Sequence, residues 1–264
     1  MGAKELCSVD GSIAPTERAT VPLKDDGLYR GDGAFEVIRL YRGTPFALTE
    51  HLDRLHRSAA ALELEFDREA LEHEIAALLA EFGEAEAQLR LIVTRGGRRI
   101  AATEPLPEHA ETVALASVTY SPTVVLNGVK SLSYAANMQA TRLARSTGAD
   151  EAVFVTPEGA ILEAPTSTLF WVSADDGTLR TTALSAGVLE SITRDRLIRE
   201  LHVEEGTWPL DDLRAAREAF LASTVREVQA VSSLDGQPFP SAPGPRTEEA
   251  AAAFAGVLER QLGT

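Results

Sequence analysis

A handful of side chains in this sequence have the types and spacing for one kind of chemistry. "GVKSLSY" (128–134) sets Lys130 after the apolar run "TVVL" and ahead of a helical pattern. A lysine amine whose charge is suppressed by burial or by its neighbours is a nucleophile, and it condenses with aldehydes. Tyr134 follows four residues later and can aim its phenol at the same place if a helix starts between them. "ILEAPTSTLF" ends a short strand at Glu163, where a carboxylate could face a ring nitrogen and keep it protonated. "ESITR" brings Ser191, Ile192, Thr193 and Arg194 to a helix start, where N–H groups and a hydroxyl make an anion site. "STVR" (223–226) adds a second hydroxyl-bearing turn with Thr224. Arg54 lies between Leu52 and Leu55 on an amphipathic helix and could reach a phosphate. Taken singly, each has an ordinary reading as a loop lysine, a strand-end glutamate, a capped helix or a salt-bridged arginine.

Alternating strand patterns and helical periodicities must position these residues. "FEVIRLY" (35–41) reads as a strand that turns at "RGTP" and returns as "FAL". Apolar residues at 52, 55, 59 and 62 predict a helix with Thr49 as its cap, and 68–82 predicts a second helix. Strands follow at 87–96 and 111–120. Beyond a connector at 121–128, a helical pattern runs from "SLSY" to Gly148. Short strands then crowd together as "EAVFVT", "AILEA", "STLFWVS" and "TLRTT". A helix capped by Ser191, two strands around "STVR" and a C-terminal helix complete the chain. The order gives a mixed α+β or α/β protein, with a small domain over 1–116, a linker over 117–127 and a larger domain over 128–264.

Composition narrows the classes of function. The 264 residues carry a net charge of −15, so a polyanion such as DNA or RNA would be repelled. Five histidines without metal-ligand spacing and a single cysteine, Cys7, argue against a structural metal site or an internal disulfide. No leader-like segment and no run of 18 apolar residues occurs, so a cytoplasmic protein with no membrane span is expected.

The joint order of these motifs resembles the fold-type IV pyridoxal-phosphate enzymes, or class IV aminotransferases. The family includes branched-chain, D-amino-acid and (R)-amine aminotransferases and 4-amino-4-deoxychorismate lyases. The resemblance runs from about residue 25 to 234, through "DDGLYRGDGAFEVIRLYRGTPFALTEHLDRLHRSA", "VKSLSYAANM", "GADEAVFVTPEGAILEAPTSTLFWV", "GVLESITRDRL" and "STVREV". It implies a two-domain fold with a small N-terminal α+β domain and a larger cofactor-binding domain built on a barrel-like sheet. It also implies pyridoxal 5'-phosphate as cofactor, a homodimer with the site at the domain interface, and small-molecule substrates: an amino donor and a keto acid. Lys130 matches the lysine that holds the cofactor as a Schiff base, and Glu163 the acid on its pyridine nitrogen. Tyr134 matches a residue near the phenolic oxygen. Arg54, Ile192, Thr193 and Thr224 match the phosphate-binding set.

Substrate contacts are expected from Phe35, Arg39, Arg90, Arg95 and Arg98. The chain departs from the family pattern at Ala164, where a glycine is usual, and at Thr168, where an asparagine is usual. Phe35 and Ile100 stand where D-amino-acid enzymes resemble one another in a tyrosine and a histidine, and Gln88 stands at a tyrosine of the branched-chain enzymes. The resemblance thus implies an aminotransferase, with the lyase as alternative and a catalytically silent binding protein as a third reading.

Overall fold

A computed structural model describes residues 4–263. The chain divides into two compact units, one of residues 4–107 with 129–134, the other of residues 108–128 with 135–263.

In the first unit, among the described residues, six strands form one antiparallel sheet. They are β1 (Leu6–Val9), β2 (Ser12–Pro15), β3 (Gly33–Tyr41), β4 (Thr44–Pro45), β5 (Ala87–Thr94) and β6 (Arg99–Glu104). Their spatial order is β2-β1-β6-β5-β3-β4. A short helix α1 (Asp26–Arg30) precedes β3, and α2 (Leu48–Ala61) and α3 (Arg68–Phe82) follow β4. Strand side chains alternate between faces. Ala34, Ile38 and Leu40 of β3 and Leu89, Leu91 and Val93 of β5 therefore share a face, and they are buried with Leu52 and Leu55 of α2 and Leu71, Ile75 and Leu78 of α3. Each such fully buried side chain contributes about 1.5–3 kcal/mol. The opposite face of β3 carries Phe35, Val37, Arg39 and Tyr41.

In the second unit, β7 (Thr112–Thr119), β8 (Glu151–Val155), β9 (Thr168–Val172), β10 (Leu179–Thr182), β11 (Val203–Gly206), β12 (Glu218–Ser223), β13 (Glu227–Leu234) and β14 (Gln237–Pro238) form a mixed sheet. It runs β11-β10-β9-β12-β13-β7-β8, with β14 added to β13, and curls into a half-barrel. β8 and β9 are buried along their whole length, which is why "EAVFV" and "TLFWV" read as continuous apolar runs. Helix α4 (Ala135–Ser146) packs its Ala140 and Ala144 against Phe154 of β8. Helices α5 (Ile192–Glu200), α6 (Leu210–Arg214) and α7 (Pro245–Leu262) complete the unit. Among the described residues, no helix is long and apolar enough to cross a membrane.

Several boundaries differ from the sequence reading. Residues 112–116, expected in the first domain, and 117–119, expected in the linker, pair in parallel with β13 and β8 of the second sheet. Residues 129–134, expected in the second domain, belong to the first unit. In both cases long-range backbone pairing decides membership, and local periodicity is blind to it. The returning strand is only Thr44–Pro45, and α2 starts at Leu48 behind Ala47, so Thr49 lies inside the helix and does not cap it. "AILEA" makes isolated bridges at Ala160, Ile161 and Ala164 in place of a strand. Helix α4 starts at Ala135, beyond both Lys130 and Tyr134.

Candidate active site

In the first unit, the segment holding Lys130 lies along the start of β3. Phe35 N donates to the Lys130 carbonyl at 3.0 Å, and Leu132 N donates to the Gly33 carbonyl at 2.8 Å. Ala34 and Ser131 form an antiparallel bridge. Gly33 permits this approach, because a Cβ there would sit 2.5 Å from Leu132 Cδ1 and from the Val93 carbonyl oxygen. From α2, Ser58 Oγ accepts a hydrogen bond from Lys130 N at 3.1 Å. With its backbone held on both sides, Lys130 directs Nζ to 4.4 Å from the Phe35 ring centroid and 5.8 Å from that of Tyr134. The two rings meet edge to face at 5.2 Å. Tyr134 thus reaches the amine from an extended segment, where the sequence suggested an intervening helix start.

The sequence holds only three lysines, Lys4, Lys24 and Lys130; its other 22 basic residues are arginine. Lys4 and Lys24 are exposed, and only Lys130 is partly buried. That contrast was available from residue counts.

Arg54 is buried on α2, on the same face as His51 and Ser58 by the i, i+3, i+7 spacing. It donates from Nε and Nη2 to the two oxygens of Glu36, both at 2.7 Å. Glu36 lies on β3 between Ala34 and Ile38, at an inward position among apolar residues, and it is fully buried. His51 Nδ1 lies 2.7 Å from Glu36 Oε2. Burial pushes the Glu36 carboxyl up, but Arg54 foremost and His51 with it outweigh burial and hold it far below the usual carboxylate range. Burial pulls His51 below its ordinary 6.5, aided by Arg54 and Lys130 and opposed by Glu36. His51 is therefore neutral near pH 7, and its bond to an ionised carboxylate assigns the proton to Nδ1. Sequence reasoning missed Glu36, His51 and Ser58. The available signal was a charge at an inward position of β3 opposite polar residues on the apolar stripe of α2.

The expected substrate arginines separate into two groups. Arg90 shares the Phe35 ring with the amine: its Cζ lies 6.0 Å from the ring centroid. Arg39 shares that sheet face and pairs with Glu86 at 3.1 Å. Arg95 and Arg98 instead staple turns. Arg95 binds Asp32 and the carbonyls of Leu62 and Glu63, and Arg98 binds Asp10.

In the second unit, Glu163 is partly buried and its backbone carbonyl accepts from Phe154 N at 2.9 Å. Its Oε1 accepts from Leu189 N at 3.0 Å, which fixes the chain just ahead of α5. Ser191 caps α5 by accepting from Arg194 N at 3.3 Å. Ile192 and Thr193 form the first turn, where helix N–H groups lack intrahelical acceptors. Thr193 is fully buried, and its Oγ1 has no hydrogen-bond partner among the described residues. Arg194 turns away from this point to the Thr182 carbonyl and to Glu205, so it anchors the helix. Thr224 is buried in the β12–β13 turn. Arg226 ties that turn to Glu151 of β8 through a buried ion pair. The first unit offers an amine, and the second offers a carboxylate and two buried hydroxyls. An aldehyde, a ring nitrogen and a phosphate are the groups they could hold.

The family described as amino-transferase class IV matches residues 33–234. This chain belongs to that family. The D-alanine aminotransferase of Bacillus licheniformis is 30% identical over 263 residues, 90% of this chain and 92% of the relative. The aminodeoxychorismate lyase of Bacillus subtilis is 27% identical over 268 residues, 90% of each chain. The crystal structure of a branched-chain aminotransferase from Thermoproteus uzoniensis, with norvaline, superposes with a TM-score of 0.87 at 26% identity. That match covers 96% of this chain and 94% of that one. The fold is therefore fold type IV, in a family of aminotransferases and lyases.

Proposed function

We propose that this protein is a pyridoxal-phosphate-dependent aminotransferase that moves an amino group between an amino acid or primary amine and a 2-oxo acid. The observation that carries the reading is Lys130, the one partly buried lysine of three, with its amine held against Phe35 and Tyr134. The residues present fit the cofactor: Thr193 Oγ1 is a buried hydroxyl without a partner among the described residues, at a helix start where a phosphate oxygen would satisfy it. When bound, the cofactor supplies an aldehyde for amine exchange and a pyridinium that draws electrons from the substrate Cα.

The chain's own groups do the rest. Lys130 Nζ would hold the cofactor through its aldehyde carbon, and once free its amine would take the substrate Cα proton as general base. Its placement by Ser58 and β3 limits how far Nζ must move. Glu163 would keep the ring nitrogen protonated. Tyr134 would lie near the cofactor's phenolic oxygen. Arg54, Ile192, Thr193 and Thr224 bind the phosphate, with Glu36 and His51 fixing Arg54. We assign the active form to a homodimer, to which the exposed Leu28, Tyr29, Val124 and Val125 would contribute apolar surface.

The B. subtilis relative favours one rival, a lyase that releases pyruvate and 4-aminobenzoate from aminodeoxychorismate. Absorbance spectroscopy of the cofactor-loaded protein separates the two. Bleaching by L-leucine, D-alanine or (R)-1-phenylethylamine alone, reversed by a keto acid, is the expected result. An unbleached spectrum with pyruvate accumulating from aminodeoxychorismate would establish the lyase. Light scattering at one-chain mass would contradict the dimer.

A further inference from the structure

The Phe35 face of the first sheet carries a second charged arrangement besides Lys130. Cross-strand partners share a face. Val37 pairs with Arg90, Arg39 with Gln88, and Gln88 with Glu104, so all these side chains belong to the face of Phe35. Lys130 Nζ and Arg90 Cζ both lie against the Phe35 ring, at 4.4 and 6.0 Å from its centroid. Arg90 and the reacting amine thus share the Phe35 ring and are no farther apart than the sum of those distances.

Arg90 already has a carboxylate partner. Its Nε donates to Glu104 Oε1 at 2.6 Å and its Nη2 to Glu104 Oε2 at 2.9 Å. Gln88 Nε2 donates to the same Oε2 at 2.7 Å and holds the carboxylate in place. Such a fork-to-fork pair is directional and strong. The other arginines expected to bind substrate are also ion-paired, Arg39 with Glu86, Arg95 with Asp32 and Arg98 with Asp10. A substrate carrying a side-chain carboxylate would have to compete with Glu104 and sit beside its negative charge. An uncharged side chain meets the Phe35 ring and a charge-neutral pair.

We propose that Glu104 is a specificity-determining residue, which neutralises Arg90 and directs the site to substrates with uncharged side chains over dicarboxylic ones. The inference rests on the aminotransferase reading for the identity of the substrates, and its test reads binding, not turnover. Calorimetry on the cofactor-loaded protein would compare two non-reacting ligands, glutarate and 4-methylpentanoate. Wild type is expected to favour 4-methylpentanoate. Glu104→Gln, which retains size and a hydrogen-bonding group, is expected to shift the affinity ratio toward glutarate by at least about tenfold, as an unmasked charge-assisted pair should. Glu104→Gln combined with Arg90→Met should lose that gain. A ratio unchanged in Glu104→Gln, a wild type that already prefers glutarate, or no binding of either ligand to either protein would overturn the proposal. A shifted ratio in a protein that transfers no amino group would retain the pocket assignment and reject the aminotransferase reading. Unchanged far-ultraviolet circular dichroism confirms that the variants compared are folded.

Discussion

Two buried polar sites, one in each unit, are prepared in opposite ways. In the first, Glu36, His51 and Arg54 are buried and pair with one another before any ligand arrives. In the second, Thr193 is equally buried, but its hydroxyl has no protein partner among the described residues. A satisfied buried network supports the fold and fixes geometry, whereas an orphaned hydroxyl costs stability until a ligand satisfies it. The contrast separates residues whose loss should unfold the protein from those whose loss should only weaken a ligand.

The largest effect is expected outside the contrast, at the amine it serves. Lys130→Ala should lower turnover by more than about a thousandfold, since covalent capture and proton transfer are both lost. Steady-state assays with any accepted donor check this, and retained activity would sink the assignment. Glu36→Gln breaks the satisfied network and leaves Arg54 buried without its counter-charge. It should cost about 3–5 kcal/mol of stability in urea unfolding of the apo protein. A variant as stable as wild type would show that Arg54 has other support. Thr193→Val should leave apo stability unchanged or slightly higher, while weakening pyridoxal-phosphate binding by about tenfold, read by equilibrium dialysis. Equal losses at both positions would erase the distinction between the units.

Acid should reveal the same network with smaller effects at first. His51 is held below its ordinary 6.5, so unfolded chains bind a proton that the native state refuses. Its contribution is present above pH 6.5 and is lost as pH falls through the native value. Glu36, held below its ordinary 4.5, adds a second loss below that pH, again because the unfolded state binds more protons. Chemical unfolding from pH 7 down to pH 2 should show stability falling in that order. In Glu36→Gln the lower part of the fall should shrink.

What the sequence could and could not convey follows from the range of each interaction. Local patterns placed α3 at 68–82 and the Ser191 cap of α5, because helix periodicity and capping are set within a few residues. The sheet membership of 112–119 and the return of 129–134 to β3 depend on partners tens of residues away, which no window contains. Motif order singled out Lys130, Arg54, Thr193 and Glu163 as candidates, whereas the residues packed around them were not legible. Glu36 lies in "FEVIRLY" beside the named Phe35, yet its role appears only when α2 is laid on β3. The candidate arginines Arg90, Arg95 and Arg98 look alike in the sequence. Pairing register puts Arg90 beside Phe35 and leaves the other two at turns.

The most direct test of the central claim is borohydride reduction of the cofactor-loaded protein, followed by proteolysis and mass spectrometry. With three lysines in the chain, the possible positions are few. A phosphopyridoxyl group is expected on Lys130 at close to one per chain, with Lys4 and Lys24 unlabelled. Labelling spread over all three lysines, or none at Lys130, would contradict it.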